Sequence, residues 1–301
     1  MKKNSLFIVA IVFISCVNTK NLQKPSFENA GPFDKQGHRG CRGLMPENTI
    51  PAMLRALDLG VTTLEMDACI TSDKQVIVSH DPFFSHNITT KPDGSFVDEK
   101  NEKNYRLYQM TFAETQQYDV GMKPHPGFPR QEKLPVHKPL LGELVDSVQQ
   151  YMKKTKRAFP FFNIETKTQP ATDNIFHPGP AEFVELLMTV IKDKGIEQFT
   201  IVQSFDFRTL RYLHKNYPSV KTAMLIESAD KRSVDEQLKD LGFTPTIYSP
   251  EQGLVNDELI KKCHLLGIKI IPWTVNDRLR IEDLQKAGVD GIISDYPDLF
   301  N

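Results

Sequence analysis

One pattern limits the fold of this chain more than any other: an amphipathic stretch of helical length, a glycine, and a short β-branched strand, repeated along the sequence. Glycine suits that junction because the residue after a helix commonly adopts a left-handed conformation that a side chain resists. Gly60, Gly195, Gly242, Gly267 and Gly288 all occupy it. After Gly242, residues 246–249 read as strand, 257–266 as helix, Gly267 as its cap, and 269–275 as the next strand. Similar strands are predicted at 35–38, 63–68, 76–80, 161–165, 200–203, 223–226 and 291–294. Such alternation places the chain in the α/β class, with parallel strands joined by helical crossovers. This many units predict closure into a TIM-type (β/α)8 barrel, an open doubly wound sheet being the alternative.

The rhythm breaks between Asp81 and Leu140. That stretch is rich in Pro, Asn, Asp and Gly and carries only patchy periodicity, so residues from about 82 to 140 read as an inserted loop region or small cap. It follows an early strand end, where barrel loops build the active face, so it is expected to shape substrate choice; an insertion remote from the site is the plainer alternative. Residues 31–301 are long enough for one barrel domain. Thirty-seven basic residues balance thirty-eight acidic ones, leaving a formal charge of -1. That excludes the basic excess needed to track a nucleic-acid backbone, and it requires that an anionic small-molecule substrate be held by a few placed cations.

Residues 1–30 read as an export signal and tether. Lys2 and Lys3 precede an apolar run over residues 6–14, too short to span a membrane, and Ser15-Cys16 follows. This order looks like a bacterial lipoprotein signal, in which Cys16 becomes the diacylated first residue of an exported protein anchored to a membrane at the periplasmic or cell surface. An ordinary secretory peptide is the alternative. The remaining Cys41, Cys69 and Cys263 are odd in number and lack paired spacing, so neither a disulfide framework nor a structural zinc site is implied.

Chemistry concentrates at strand ends. The first strand closes on Gly37-His38-Arg39-Gly40, a charged pair between glycines that lets a ligand approach closely. Pro46-Glu47-Asn48-Thr49 opens the following helix, with Asn48 or Thr49 as its cap. The second strand carries Glu65-Met66-Asp67; alternation puts both carboxylates on one face, with Leu64 and Met66 on the other. Two like charges buried together need a compensating cation, and a hard divalent metal is the simplest; an exposed acidic pair on an edge strand is the alternative. His80 ends a further strand, and Asn163, Glu165 and Lys167 share one face of another. Glu165 and Lys167 could instead form only a structural salt bridge. Assembled on one rim, Glu65, Asp67 and Glu165 offer oxygen ligands, Arg39 and Lys167 grip an anion, and His38 and His80 carry protons.

The runs His38-Arg39-Gly40, Pro46-Glu47-Asn48-Thr49, Glu65-Met66-Asp67 and His80-Asp81 resemble, in order and spacing, the signature of the glycerophosphodiester phosphodiesterase family. Ile164-Glu165-Thr166-Lys167, Gln203-Ser204-Phe205-Asp206, Pro272-Trp273-Thr274-Val275-Asn276 and the stretch from Asp290 to Pro297 are similar to its later blocks. The resemblance implies a TIM-type barrel, one bound Ca²⁺ or Mg²⁺, and hydrolysis of glycerophosphodiesters to glycerol 3-phosphate and an alcohol. It makes His38 and His80 the acid/base pair, Glu65, Asp67 and Glu165 the metal ligands, and Arg39 and Lys167 phosphate contacts, with Trp273 lining the glycerol side of the pocket. Arg42 has no counterpart to which a role attaches. The block Lys138-Pro139-Leu140-Leu141 departs from the family pattern and is expected to lie away from the chemistry. Two rival readings use the same residues: a lysophospholipase D- or sphingomyelinase D-like enzyme, and a non-catalytic phosphate- or lipid-binding lipoprotein.

Overall fold

The computed structural model describes residues 33–300. Cys16, and with it the export signal and tether, lies outside them. Along the chain run β1 (Asp34–Gly37), α1 (Ile50–Asp58), β2 (Thr63–Ile70), β3 (Val76–Val78), α2 (Phe112–Thr115), α3 (Leu141–Thr155), β4 (Phe161–Thr166), α4 (Pro180–Asp193) and β5 (Thr200–Ser204). Then come α5 (Phe207–Asn216), β6 (Lys221–Ile226), α6 (Val234–Leu241), β7 (Ile247–Pro250), α7 (Asp257–Leu265), β8 (Lys269–Ile270), α8 (Arg278–Ala287) and β9 (Gly291–Ser294). Strands pair in the order β8-β7-β6-β5-β4-β2-β1-β9, every pair parallel. The seam between β9 and β8 carries three backbone hydrogen bonds in place of a regular ladder: Asp290 N to Ile270 O, Ile293 N to Pro272 O and Val275 N to Ile293 O, at 2.9, 3.0 and 3.0 Å. Pro272, which has no amide to donate, interrupts the strand predicted over 269–275, so regular β8 is two residues long. The result is a nearly closed eight-stranded parallel barrel, the TIM-type architecture that the alternation predicts.

One predicted strand does not belong to the barrel. Residues 76–80 fit the strand pattern, but β3 runs antiparallel to β2, with Ala68 opposite Val78 and Ile70 opposite Val76. Only residues 71–75 separate the two, enough for a hairpin and far too few for a helical crossover. Strand geometry ends at Val78, so His80 lies in the turn beyond it.

Two cores follow from the period of two. Outward side chains such as Leu64, Met66, Phe162, Ile164, Val202 and Met224 pack under the helices in one continuous apolar cluster. Each fully buried side chain of this kind contributes roughly 1.5–3 kcal/mol. Inward, Phe161, Ile201, Ala223, Ile247, Ile271 and Ile293 close the barrel interior in an apolar layer. Above it lies a polar layer, where Asn163 Nδ2 donates to Gln36 Oε1 and to Gln203 Oε1, both at 2.9 Å. The helices are delimited as the sequence implies: Thr49 Oγ1 accepts from Ala52 N at the start of α1, and Gly242 and Gly288 cap α6 and α8 at φ 85° and 95°.

Residues between β3 and α3 form a cap on the connection that leaves the C-terminal end of β2. Phe84, Ile88, Val97, Leu107 and Val120 cluster there on Cys69 and Ile77 of the β2–β3 hairpin, and the Phe84 and Tyr118 rings stack at 4.2 Å. Among the described residues no helix is long and apolar enough to cross a membrane.

Candidate active site on the barrel rim

The turn after β1 is built on two glycines. A Cβ on Gly37 would stand 2.1 Å from Gly40 O, and one on Gly40, at φ +83°, would stand 2.7 Å from the Ala52 backbone. With those neighbours so close, Arg39 takes φ 50° and Asn48 φ 57°, left-handed values that cost an L-residue about 1–2 kcal/mol each. Hydrogen bonds hold them there: Arg39 N donates to Glu65 Oε2 at 2.7 Å, and Asn48 Nδ2 to Asp67 Oδ2 at 2.8 Å. Thr49, and not Asn48, caps α1; Asn48 serves the carboxylate.

Glu65 and Asp67 on β2 and Glu165 on β4 are buried, and one oxygen of each lies within 4.8 Å of those of the other two. Gln203 Nε2 donates to Glu65 Oε1 at 2.7 Å, and Lys167 Nζ to Glu165 Oε1 at 2.8 Å, with Asp67 Oδ1 3.7 Å from the same ammonium. Arg39 Nη1 donates to Glu47 Oε1 at 2.8 Å and its Nε stands 3.4 Å from Asp67 Oδ2. Burial, and then the charge of Asp67, pushes the Glu65 carboxyl well above the usual range. Burial acts on Asp67 in the same sense, but Lys167 and Arg39 overcome it and hold this carboxyl below the usual range.

A divalent ion fits these residues. Asp67 Oδ1 is buried without a hydrogen-bond partner, faced only by the Lys167 ammonium at 3.7 Å, so it keeps lone pairs for a further cation. Glu47, Glu65, Asp67, Glu165 and Asp295 are buried beside Arg39, Arg42 and Lys167, an excess of two negative charges when all are ionised. The donors are hard oxygens, the set that Ca²⁺ and Mg²⁺ prefer.

His38 Nδ1 lies 2.6 Å from Asp295 Oδ1, which leaves Nε2 facing Glu65 Oε2 at 3.9 Å. Burial pushes this imidazole down to about 4, against the pull of Asp295. Burial likewise opposes ionisation of Asp295, but His38 and Arg42 hold its carboxyl well below the usual range. His80, one third exposed, has Nδ1 3.1 Å from Asp81 Oδ1. Trp273 donates from Nε1 to Ser249 O at 2.9 Å and meets Phe205 edge-to-face, centroids 5.5 Å apart. His38, Arg39, Glu65, His80, Glu165, Lys167 and Trp273 line one cavity of about 180 Å³, with Asp67 just behind its wall. Every candidate singled out in the described sequence therefore meets at one place. Glu165 and Lys167 do form the salt bridge that stood as the plainer alternative, but they form it inside this cluster.

Several partners were not singled out by the sequence. Arg42 grips Asp295 with two nitrogens, Nε at 2.9 Å from Oδ1 and Nη2 at 3.1 Å from Oδ2, while Asn276 Nδ2 donates to the same Oδ2 at 2.7 Å. The cap holds Arg42 in turn: the Phe128 ring lies 4.6 Å from its guanidinium carbon, and Gln131 Nε2 donates to its carbonyl at 2.8 Å. Lys138 is buried, contrary to its expected distance from the chemistry, and Nζ donates at 2.7 Å to Ser79 Oγ in the turn that carries His80. Gln203 and Asp295 follow inward-facing Ile201 and Ile293 by two residues, so alternation could have found both. Arg42 sits in an irregular turn, where no periodicity reaches.

A wider groove of about 660 Å³ adjoins the cavity and shares Phe205 and Leu225 with it. It runs over the ends of β4, β5 and β6 and is lined by ion pairs: Arg208 with Asp173 and Asp206, Arg232 with Asp230 and Asp240, Arg211 with Asp240.

The model of the glycerophosphoryl diester phosphodiesterase family matches residues 38–299. A glycerophosphodiester phosphodiesterase of Bacillus altitudinis is 31% identical over 265 residues, covering 87% of this chain and 94% of the relative. One from Caldanaerobacter subterraneus subsp. tengcongensis is 29% identical, covering 87% and 93%. Among solved structures, an Oleispira antarctica phosphodiesterase in complex with the product sn-glycerol-3-phosphate superposes with a TM-score of 0.69 at 21% identity, covering 88% of this chain and 94% of that one. At that identity the likeness establishes the fold.

Proposed function

Because the chain belongs to the glycerophosphoryl diester phosphodiesterase family, and is by that membership a phosphoric diester hydrolase, we propose that it cleaves glycerophosphodiesters to glycerol 3-phosphate and an alcohol, using one divalent ion and two histidines. One observation carries the reading: three carboxylates from two strands converge within 4.8 Å beside two imidazoles that line the same cavity. Glu65, Asp67 and Glu165 would hold the ion, Ca²⁺ or Mg²⁺. Bound there, it supplies Lewis acidity at a phosphoryl oxygen and offsets the charge of the transition state.

The chain's own residues supply the rest. Lys167 and Arg39 present fixed positive charge to the phosphodiester, Lys167 as a point charge and Arg39 from a guanidinium anchored by Glu47. Asp295 holds the Nδ1 proton of His38, so Nε2 is the nitrogen left to accept or return a proton. His80 handles the other proton transfer, so that one ring activates the nucleophile and the other protonates the departing alkoxide. Trp273 lines the wall against which the glycerol rests.

Release of glycerol 3-phosphate from glycerophosphoethanolamine by metal-loaded enzyme is expected to stop with EDTA and to return with Ca²⁺ or Mg²⁺. The His38→Ala variant is expected to keep a wild-type circular dichroism spectrum and lose turnover; full activity after chelation, or in that variant, would sink the assignment. The proposal also includes export and lipid anchoring through Cys16: labelled palmitate should enter the wild-type protein and not the Cys16→Ser variant, and equal labelling would remove the anchor.

A further inference from the structure

The catalytic cavity is small and holds only one half of a phosphodiester. Its volume of about 180 Å³ equals that of about six waters at ~30 Å³ each, space that a phosphate and a three-carbon polyol fill. The other substituent must extend outward, and the 660 Å³ groove is the space that opens from the cavity, through Phe205 and Leu225, which border both.

The charges of that groove are almost all committed. Arg208, Arg211 and Arg232 are each paired with aspartates, and Asp206, Asp230 and Asp240 are the carboxylates that pair with them. Glu227 is the exception: it is exposed, and its carboxylate has no partner among the described residues. Leu225 is the last inward residue of β6 and Glu227 follows directly after the strand ends at Ile226, and both line the groove. At the junction the Phe205 ring is 37% exposed and is backed edge-to-face by Trp273. An aromatic face with an uncommitted carboxylate nearby is the chemistry that recognises an organic ammonium ion, by cation–π attraction on one side and charge on the other.

We propose that this groove is the leaving-alcohol subsite and that Phe205 and Glu227 select alcohols ending in an ammonium group, of the choline or ethanolamine class, over neutral polyols. The inference rests on the phosphodiesterase reading above and adds the identity of the departing group. The arginines of the groove are committed to aspartates, so none of them competes with the substrate's ammonium for Glu227.

The test compares kcat/KM for glycerophosphocholine with that for glycerophosphoglycerol, whose departing alcohol is uncharged, in metal-loaded full-length enzyme. Wild type is expected to favour the choline substrate. Glu227→Gln should lower that preference about three- to tenfold, chiefly through KM for the choline substrate, and Glu227→Lys should lower it further. Because Glu227 is exposed and unpartnered, both variants are expected to melt with the wild type. Free choline should inhibit wild type competitively and Glu227→Lys more weakly. An unchanged preference in both variants, or a wild-type preference for the neutral alcohol, would overturn the subsite while leaving the phosphodiesterase intact. Absence of turnover on both substrates would instead overturn the reading beneath it.

Discussion

His38 and Asp295, 257 positions apart in the chain, meet at 2.6 Å between Nδ1 and Oδ1, and the same carboxylate takes two hydrogen bonds from Arg42. β1 and β9 are neighbours in the barrel, with Gly37 opposite Ser294, so the residues that follow each strand are brought together by the last pairing the barrel makes. The imidazole is thereby fixed in one tautomer, and the turn that holds Arg42 is fixed by the cap.

Replacement of Asp295 by Asn should therefore damage turnover more than binding. The amide cannot accept from Arg42 and Asn276 and also supply the charge that orients the ring. A fall in kcat of about 10²–10⁴-fold is expected, with KM within a few-fold of wild type. Steady-state kinetics on a glycerophosphodiester check this, and a variant that loses KM alone would show that Asp295 positions substrate and not His38.

Asp67 carries the orphaned buried oxygen, so Asp67→Asn should abolish tight binding of Ca²⁺ and Mg²⁺, while Gln203→Ala, which removes only a donor to Glu65, should weaken it by roughly tenfold. Isothermal titration of metal into chelator-treated protein reads both directly, without any assay of catalysis. Equal affinities in all three proteins would place the ion elsewhere.

Phe162 faces outward from β4 into the cluster beneath the helices and is fully buried. Truncation to Ala is expected to cost about 3–5 kcal/mol by removing the ring and leaving a void. Urea denaturation measures it; a loss below about 1 kcal/mol would mean that the shell repacks.

Asp206 gives stability a pH dependence. Burial would raise its carboxyl, but Arg208 and then Thr168 outweigh burial and hold it below the ordinary range. A depressed folded-state value means that the contribution is present above the unfolded value, about 3.9, and is lost as pH falls towards the folded one. Asp206→Asn, which can still cap α5, should thus be less stable than wild type at pH 7, with the gap narrowing by pH 3. Denaturant melts at the two pH values check the sign.

How much of this was legible beforehand depends on whether a residue belongs to a repeating element. Glu65, Asp67, Glu165 and Lys167 are legible because side chains alternate on a strand, and the glycine-capped helices make the alternation of the barrel legible. Segment 76–80 has the pattern of a barrel strand because period and composition alone do not tell a parallel strand from the return arm of a hairpin; the short connection before it is the signal that separates the two. Arg42 and Lys138 come from a turn and from the cap, and ion pairs of the groove join helix residues such as Arg208 and Asp240 to loop residues, so partners there are chosen by three-dimensional proximity. No spacing rule relates Arg42 to Asp295.

The hairpin of β2 and β3 divides responsibility for the reaction between two bodies. The carboxylates stand on strands in the interior of the barrel ladder, whereas His80 hangs from the antiparallel arm, whose Ile77 belongs to the cap's own apolar cluster and whose Ser79 is tied to Lys138. On the proposed mechanism, loosening of the cap would displace one of the two imidazoles while the three carboxylates stayed in register.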